Sequence, residues 1–162
     1  MSTSRDQLLA ELEELYRARF DDFLRVARAI VGDRERAVEA VQDGFADAIS
    51  GRDGYRREGP LGAWVWRAVV NAARKSTRRP LVEVRALEDQ TWEPAPAHPE
   101  VAPLVAALPE RQRLAIFLRY YADLDYRTIA QVLEVEVGTV SATLAAAHAA
   151  VRSRLKEVQL NG

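Results

Sequence analysis

The chain has 162 residues, 48% of them hydrophobic, with Lys+Arg 23 against Asp+Glu 24, which describes a globular protein of one or two small domains and excludes a large multidomain enzyme. Zero cysteines rule out disulfides, thiolate zinc sites and cysteine nucleophiles, and His98 and His148 alone leave a histidine-based metal or catalytic cluster almost nothing to draw on. No stretch approaches the roughly 18 uninterrupted apolar residues of a bilayer span, so a cytoplasmic protein without membrane insertion, cofactor or catalysis is expected.

In the opening segment apolar residues recur at Leu8, Leu12, Leu15, Tyr16, Phe20, Phe23, Ala27 and Ile30, steps of three and four that mark one face of a long helix ending near Gly32. Asp33 then caps a second helix running to about Ser50, with Val38, Val41, Phe45, Ala48 and Ile49 facing inward. The sequence GRDGYRREG from Gly51 to Gly59 reads as a loop, and Pro60 suits the first turn of a third helix reaching Arg79. Trp64, at the head of that helix, is expected in the core. Trp66 and Tyr55 stay open between packing and an exposed place beside positive charge, where aromatics can hold unstacked bases.

Six of the seven prolines lie between Pro80 and Pro109, and the stretch from Pro80 to Pro99 reads as an extended linker. Beyond it come a short helix from Pro99 to about Ala107, another from Pro109 to Tyr121, and a third from Tyr126 to Leu133 capped by Asp125. A turn at Glu134 to Glu136 precedes a final helix from Val137 to about Val158, and short helix, tight turn, longer helix is the helix-turn-helix arrangement. The expected fold class is all-α: a three-helix domain over residues 1–79, a linker over 80–98 and a helix-turn-helix domain over 99–162.

Charge is distributed unevenly along this frame. Residues 52–79 carry eight basic groups against Asp53 and Glu58, whereas residues 80–107 carry only Arg85 against five acidic groups. A basic block in a chain near neutrality suggests one polyanion-binding face. Within it Arg67, Asn71, Arg74 and Arg78 are spaced by four, three and four residues, a single helical stripe, with Lys75 beside it and Val65, Ala68, Val69 and Ala72 free to face the core. Guanidinium groups bind phosphates bidentately and an Asn side chain can donate and accept on a base edge, which suits DNA; a solvated helix face is the equally weighted alternative.

Three runs, LYRARFDDFLRVARAIVGDRERAVEAVQDGFADAI, GYRREGPLGAWVWRAVVNAARKSTRR and LPERQRLAIFLRYYADLDYRTIAQVLEVEVGTVSATL, resemble the extracytoplasmic-function sigma factors of bacterial RNA polymerase, in the right order and with a linker between. The resemblance implies a non-catalytic promoter-recognition subunit whose partners are core polymerase, promoter DNA and an anti-sigma factor. The first domain would be sigma region 2-like, docking on polymerase and melting and reading the minus-10 element; the second would be region 4-like and read the minus-35 element. It places Gln42, Asp43 and Asp47 at the docking signature around Phe45, the loop with Arg56 and Arg57 where a flipped minus-10 base is captured, and Asn71 at the family's Asn after Ala63-Trp64-Val65.

In the second domain the family's recognition helix bears cations, but from Val137 to Val151 this chain has no Lys or Arg. Thr139, Ser141 and Thr143 supply hydroxyls there, leaving Arg111, Arg113 and Arg127 outside the helix to hold phosphates. Hydroxyls neutralise no charge, so weak minus-35 binding is expected. The alternative reading is a sigma-like interaction protein that engages polymerase or an anti-sigma factor and reads promoters poorly. His148 is assigned only a surface or packing role.

Overall fold

The computed structural model describes residues 2–77 and 101–161. Seven α-helices account for the regular structure of these residues: α1 (Ser2–Val31), α2 (Arg34–Ser50), α3 (Leu61–Thr77), α4 (Ala102–Ala106), α5 (Glu110–Tyr120), α6 (Tyr126–Leu133) and α7 (Val137–Leu160), with a 3-10 turn at Arg52–Gly54 and no strand. The all-α expectation holds, and the helix ends lie within a few residues of those read from sequence. Arg78, Arg79, the linker over 80–98 and Pro99 lie outside the described residues.

Local chemistry sets the breaks. Gly32 adopts φ 83, and its N–H donates to the Arg28 carbonyl at 2.8 Å, closing α1. The Asp33 carboxylate accepts from the Glu35 N–H and starts α2, as the Asp125 carboxylate accepts from the Thr128 N–H at 2.8 Å and starts α6.

Helices α1, α2 and α3 pack on one another around an aromatic centre. The Phe23 ring lies 4.1 Å from Trp66 and 5.1 Å, edge-on, from Phe45; Tyr16 meets the same Phe45 ring edge-on at 5.0 Å. Trp66 is therefore a core residue, while Trp64, expected there, is half-buried and lies beside Tyr55 with ring centroids 5.2 Å apart. Ile49, expected to face inward, is exposed.

The inward seam of α2 is made of Ala37, Ala40, Gly44 and Ala48 as well as Val41 and Phe45, and a Cβ on Gly44 would lie 2.6 Å from the Val69 Cα. The small residues of this seam let α3 approach α2 closely. Ala68 and Ala72 are half-buried, and Trp66, Val70 and Ala73 join Val65 and Val69 inside.

The second half buries Leu114, Phe117, Leu118, Ile129, Leu133, Val140 and Leu144. It packs onto the first half along two lines, α3 against α6 and α1 against α5. Arg19 donates to the Ala122 carbonyl at 2.7 Å, and the Arg25 guanidinium sits 5.5 Å from the centre of the Tyr121 ring.

Candidate nucleic-acid interface

Behind α2 the chain makes a basic loop whose shape is internally fixed. The Tyr55 hydroxyl donates to the Gly59 carbonyl at 2.6 Å, and an Arg52 guanidinium N–H donates to the Ile49 carbonyl at 2.6 Å. Arg57 adopts φ 57, a left-handed conformation uncommon for a long side chain, and its guanidinium reaches Glu11 at 3.7 Å. Arg5 hydrogen-bonds Asp53 and so holds that carboxyl below the ordinary carboxylate range.

This loop and the head of α3 enclose a cavity of about 400 Å³ lined by Tyr55, Arg56, Glu58, Pro60, Trp64 and Arg67 among others, with Gln131 of α6 in its wall. The volume lies within the range of ordinary small-ligand pockets. Trp64 and Tyr55, their rings tilted 37° to one another, line it, and Arg56 and Arg67 bring positive charge. An aromatic wall with a cationic rim is suited to an unstacked base joined to a phosphate backbone.

From the cavity the stripe continues along α3. Asn71 and Lys75 are exposed. Arg67 is paired with Glu134, the residue that ends α6, and Arg74 Nε donates to a Glu110 oxygen at 3.2 Å. Arg78, the fourth member, lies outside the described residues.

On α2, Gln42, Asp43 and Asp47 are exposed and Phe45 is buried, so one helix presents a polar rank outward while its ring anchors the core. In α7 the buried line is Val140, Leu144 and Ala147. Ser141 is exposed between Gly138 and Ala145, whereas Thr139 and Thr143 are half-buried, leaving one of the three hydroxyl residues fully outward. Arg111 and Arg127 are exposed; Arg113 instead donates to the Ala106 and Leu108 carbonyls, each at 3.2 Å, and serves the turn between α4 and α5.

Gln131, Glu134 and Glu110 complete this surface and were not legible in sequence, because a residue remote in the chain leaves no periodicity at the site it reaches. His148, read as a surface or packing residue, is half-buried and bonded through Nε2 to the Tyr120 hydroxyl at 2.9 Å.

Comparison with known proteins agrees with this layout. A family model for sigma-70 region 2 matches residues 15–80, and one for sigma-70 region 4 matches residues 100–156. The ECF RNA polymerase sigma-E factor of Escherichia coli (strain K12) is 27% identical, over 73% of each chain. RNA polymerase sigma factor SigV of Bacillus subtilis (strain 168) is 25% identical, over 86% of this chain and 88% of that one. Two solved structures share the fold at 19% identity. They are CnrH in complex with the cytosolic domain of CnrY, with TM-score 0.72 over 96% of this chain and 94% of that one, and the sigma factor RpoE with the anti-sigma factor NepR from Bartonella quintana, with TM-score 0.67 over 96% and 98%.

Proposed function

The chain belongs to the sigma-70 family as an extracytoplasmic-function sigma factor, a subunit that directs promoter recognition and transcription initiation, and from that membership we propose how its surfaces divide the work. Residues 1–79 form the region 2 unit, 80–98 the linker and 99–162 the region 4 unit. Gln42, Asp43 and Asp47 dock on core polymerase through the exposed rank of α2. Arg56, Arg57, Arg67, Asn71, Arg74, Lys75 and Arg78 hold the melted minus-10 strand, with one base taken into the cavity between the loop and α3.

The observation that carries this reading is the continuity of the cavity with the α3 stripe through Arg67, which belongs to both. Flipping a base costs a few kcal/mol, and stacking on Trp64 and Tyr55 with phosphate contacts alongside offsets that cost. The minus-35 contribution is weak, since the first two-thirds of α7 offers Ser141, Thr139 and Thr143 but no cation, leaving Arg111 and Arg127 of other helices to neutralise phosphate. The protein works in the cytoplasm as a binding factor with no chemistry of its own; no single helix among the described residues is long and apolar enough to cross a membrane. An anti-sigma factor is the expected antagonist, as NepR is named for the RpoE it binds.

Mixing the protein with core polymerase and assaying promoter-dependent initiation tests the reading. A stable complex that initiates is the expected result. A stable complex that never initiates on any genomic promoter would select a sigma-like interaction protein instead, the outcome favoured by the lack of Lys or Arg from Val137 to Val151.

A further inference from the structure

The loop after α2 has a second concave side. Between it and the first turns of α1 lies a pocket of about 820 Å³ whose walls carry Arg5, Arg52, Arg56 and Arg57 against one carboxylate, Asp53. Tyr55 and Arg56 also line the base cavity, so the two hollows share a wall, but Trp64 and Arg67 belong only to the other one. With one aromatic ring and four guanidinium groups, this pocket is built for charge and not for stacking.

Its cations are unevenly satisfied. Arg5 grips both oxygens of Asp53, with Nε 3.1 Å from one of them, and Arg52 adds to the attraction on the same carboxylate. Arg57 reaches Glu11 at 3.7 Å. One terminal nitrogen of Arg52 donates to the Ile49 carbonyl, while its Nε is buried without a hydrogen-bond partner, a costly state for a charged donor. Arg56 is exposed and makes no ion pair among the described residues.

We propose that this pocket is a phosphate site separate from the base cavity, in which Arg52 and Arg56 hold a phosphate group and Arg5 exchanges the Asp53 carboxylate for a phosphate oxygen. Guanidinium makes the same paired, charge-assisted hydrogen bonds to either anion, so the exchange keeps the Arg5 bonds in kind. Two sources supply this chemistry. One is the backbone of a strand whose base enters the neighbouring cavity across the Tyr55–Arg56 wall; the other is a free phosphorylated ligand, for which the volume is of ordinary size. Only the first source rests on the assignment of the loop and α3 to DNA.

Calorimetric titration of the full chain with inorganic pyrophosphate, at fixed ionic strength, reads the site. Saturable binding is expected, and Arg5→Gln and Arg56→Gln are each expected to weaken it roughly three- to tenfold, as partly exposed charged contacts do. Trp64→Ala and Arg67→Gln, in the other cavity, are expected to leave pyrophosphate affinity unchanged. Asp53→Asn breaks the same pair as Arg5→Gln but keeps every cation, and is expected to tighten binding by a similar factor. Weaker binding in both Asp53→Asn and Arg5→Gln would mean that the pair only braces the loop, and overturns the exchange. No saturable binding, or wild-type affinity in Arg56→Gln and Arg5→Gln chains, overturns the site.

The source is read with a labelled 15-nucleotide strand bound to the complex with core polymerase. Strand affinity weakened by Arg5→Gln with Arg52→Gln, and a salt dependence flatter by roughly 0.7 in slope for each phosphate lost, assigns the pocket to the DNA backbone. Unchanged strand affinity beside lost pyrophosphate binding in the same double variant assigns it to a free phosphorylated ligand. A wild-type complex that binds no strand, while the free chain binds pyrophosphate, sinks the DNA assignment of α3 and leaves the phosphate site standing.

Discussion

At Gly44 two residue-scale effects oppose each other, and packing decides. Alanine is the better helix former by about 1 kcal/mol, but its Cβ would lie 2.6 Å from the Val69 Cα, a backbone atom that cannot swing aside. Gly44→Ala is expected to destabilise the protein by about 1–3 kcal/mol, as overpacking does, and chemical denaturation will read it. The two tryptophans differ in the same measurable way. Trp66→Ala removes a fully enclosed ring and is expected to cost about 3–5 kcal/mol; Trp64→Ala is expected to change stability much less and to weaken strand binding, because Trp64 faces the cavity.

Asp125 supplies a pH signature of its own. The Thr128 side-chain hydrogen bond, followed by the Thr128 backbone N–H, lowers its pKa from the ordinary carboxylate range near 4. A depressed carboxylate stabilises the fold above its unfolded pKa, and that stability is lost as pH falls through the lowered folded value. Asn caps without titrating, so Asp125→Asn is expected to abolish this part of the acid-side fall below about pH 4 in thermal melts. A slope identical to wild type would remove Asp125 from the acid response.

At the scale of elements, α2 and α7 each bury one face and leave the other exposed. Gln42, Asp43 and Asp47 are exposed beside the buried Phe45, so replacing all three by Ala is expected to weaken binding to core polymerase while the melting temperature stays nearly constant. Unfolding of the triple variant, or undiminished binding, would reject the docking assignment. Helix α7 lacks phosphate-neutralising groups over most of its length. Ser141→Arg places one cation on its outward face, and is expected to raise affinity for random duplex DNA and steepen the salt dependence by about 0.9 in slope. An unchanged slope would mean that this face does not approach the duplex.

For the molecule as a whole the governing quantity is where charge sits, since the net value of -1 attracts nothing. The described part of the basic block, residues 52–77, concentrates an excess of positive charge beside the cavity, and its Arg67 and Arg74 pair with acidic groups of the second half. Once bound to core polymerase and a melted promoter strand, Arg74→Ala with Lys75→Ala is expected to flatten the salt dependence of strand binding by roughly 0.7 in slope for each phosphate that is no longer neutralised. Asn71→Ala is expected to relax base preference with a smaller change in slope. Titrations of both variants between low and physiological salt check this, and equal slopes would show that these cations do not meet phosphate.

The amino-acid sequence by itself determined the seven helices, their caps at Asp33 and Asp125 and the described part of the basic stripe, because each is written in residues a few positions apart. Periodicity of 3.6 and capping chemistry are local, and they survive without knowledge of the fold. That Trp66 and not Trp64 is the core ring is settled by tertiary structure, where Trp66 lies against Phe23 and Trp64 beside Tyr55. So too is the pairing of Arg67 with Glu134 and of Arg74 with Glu110, separated by 67 and 36 residues. A charge shows its sign in the sequence, but the partner that neutralises it is set by which helices the folded core brings side by side.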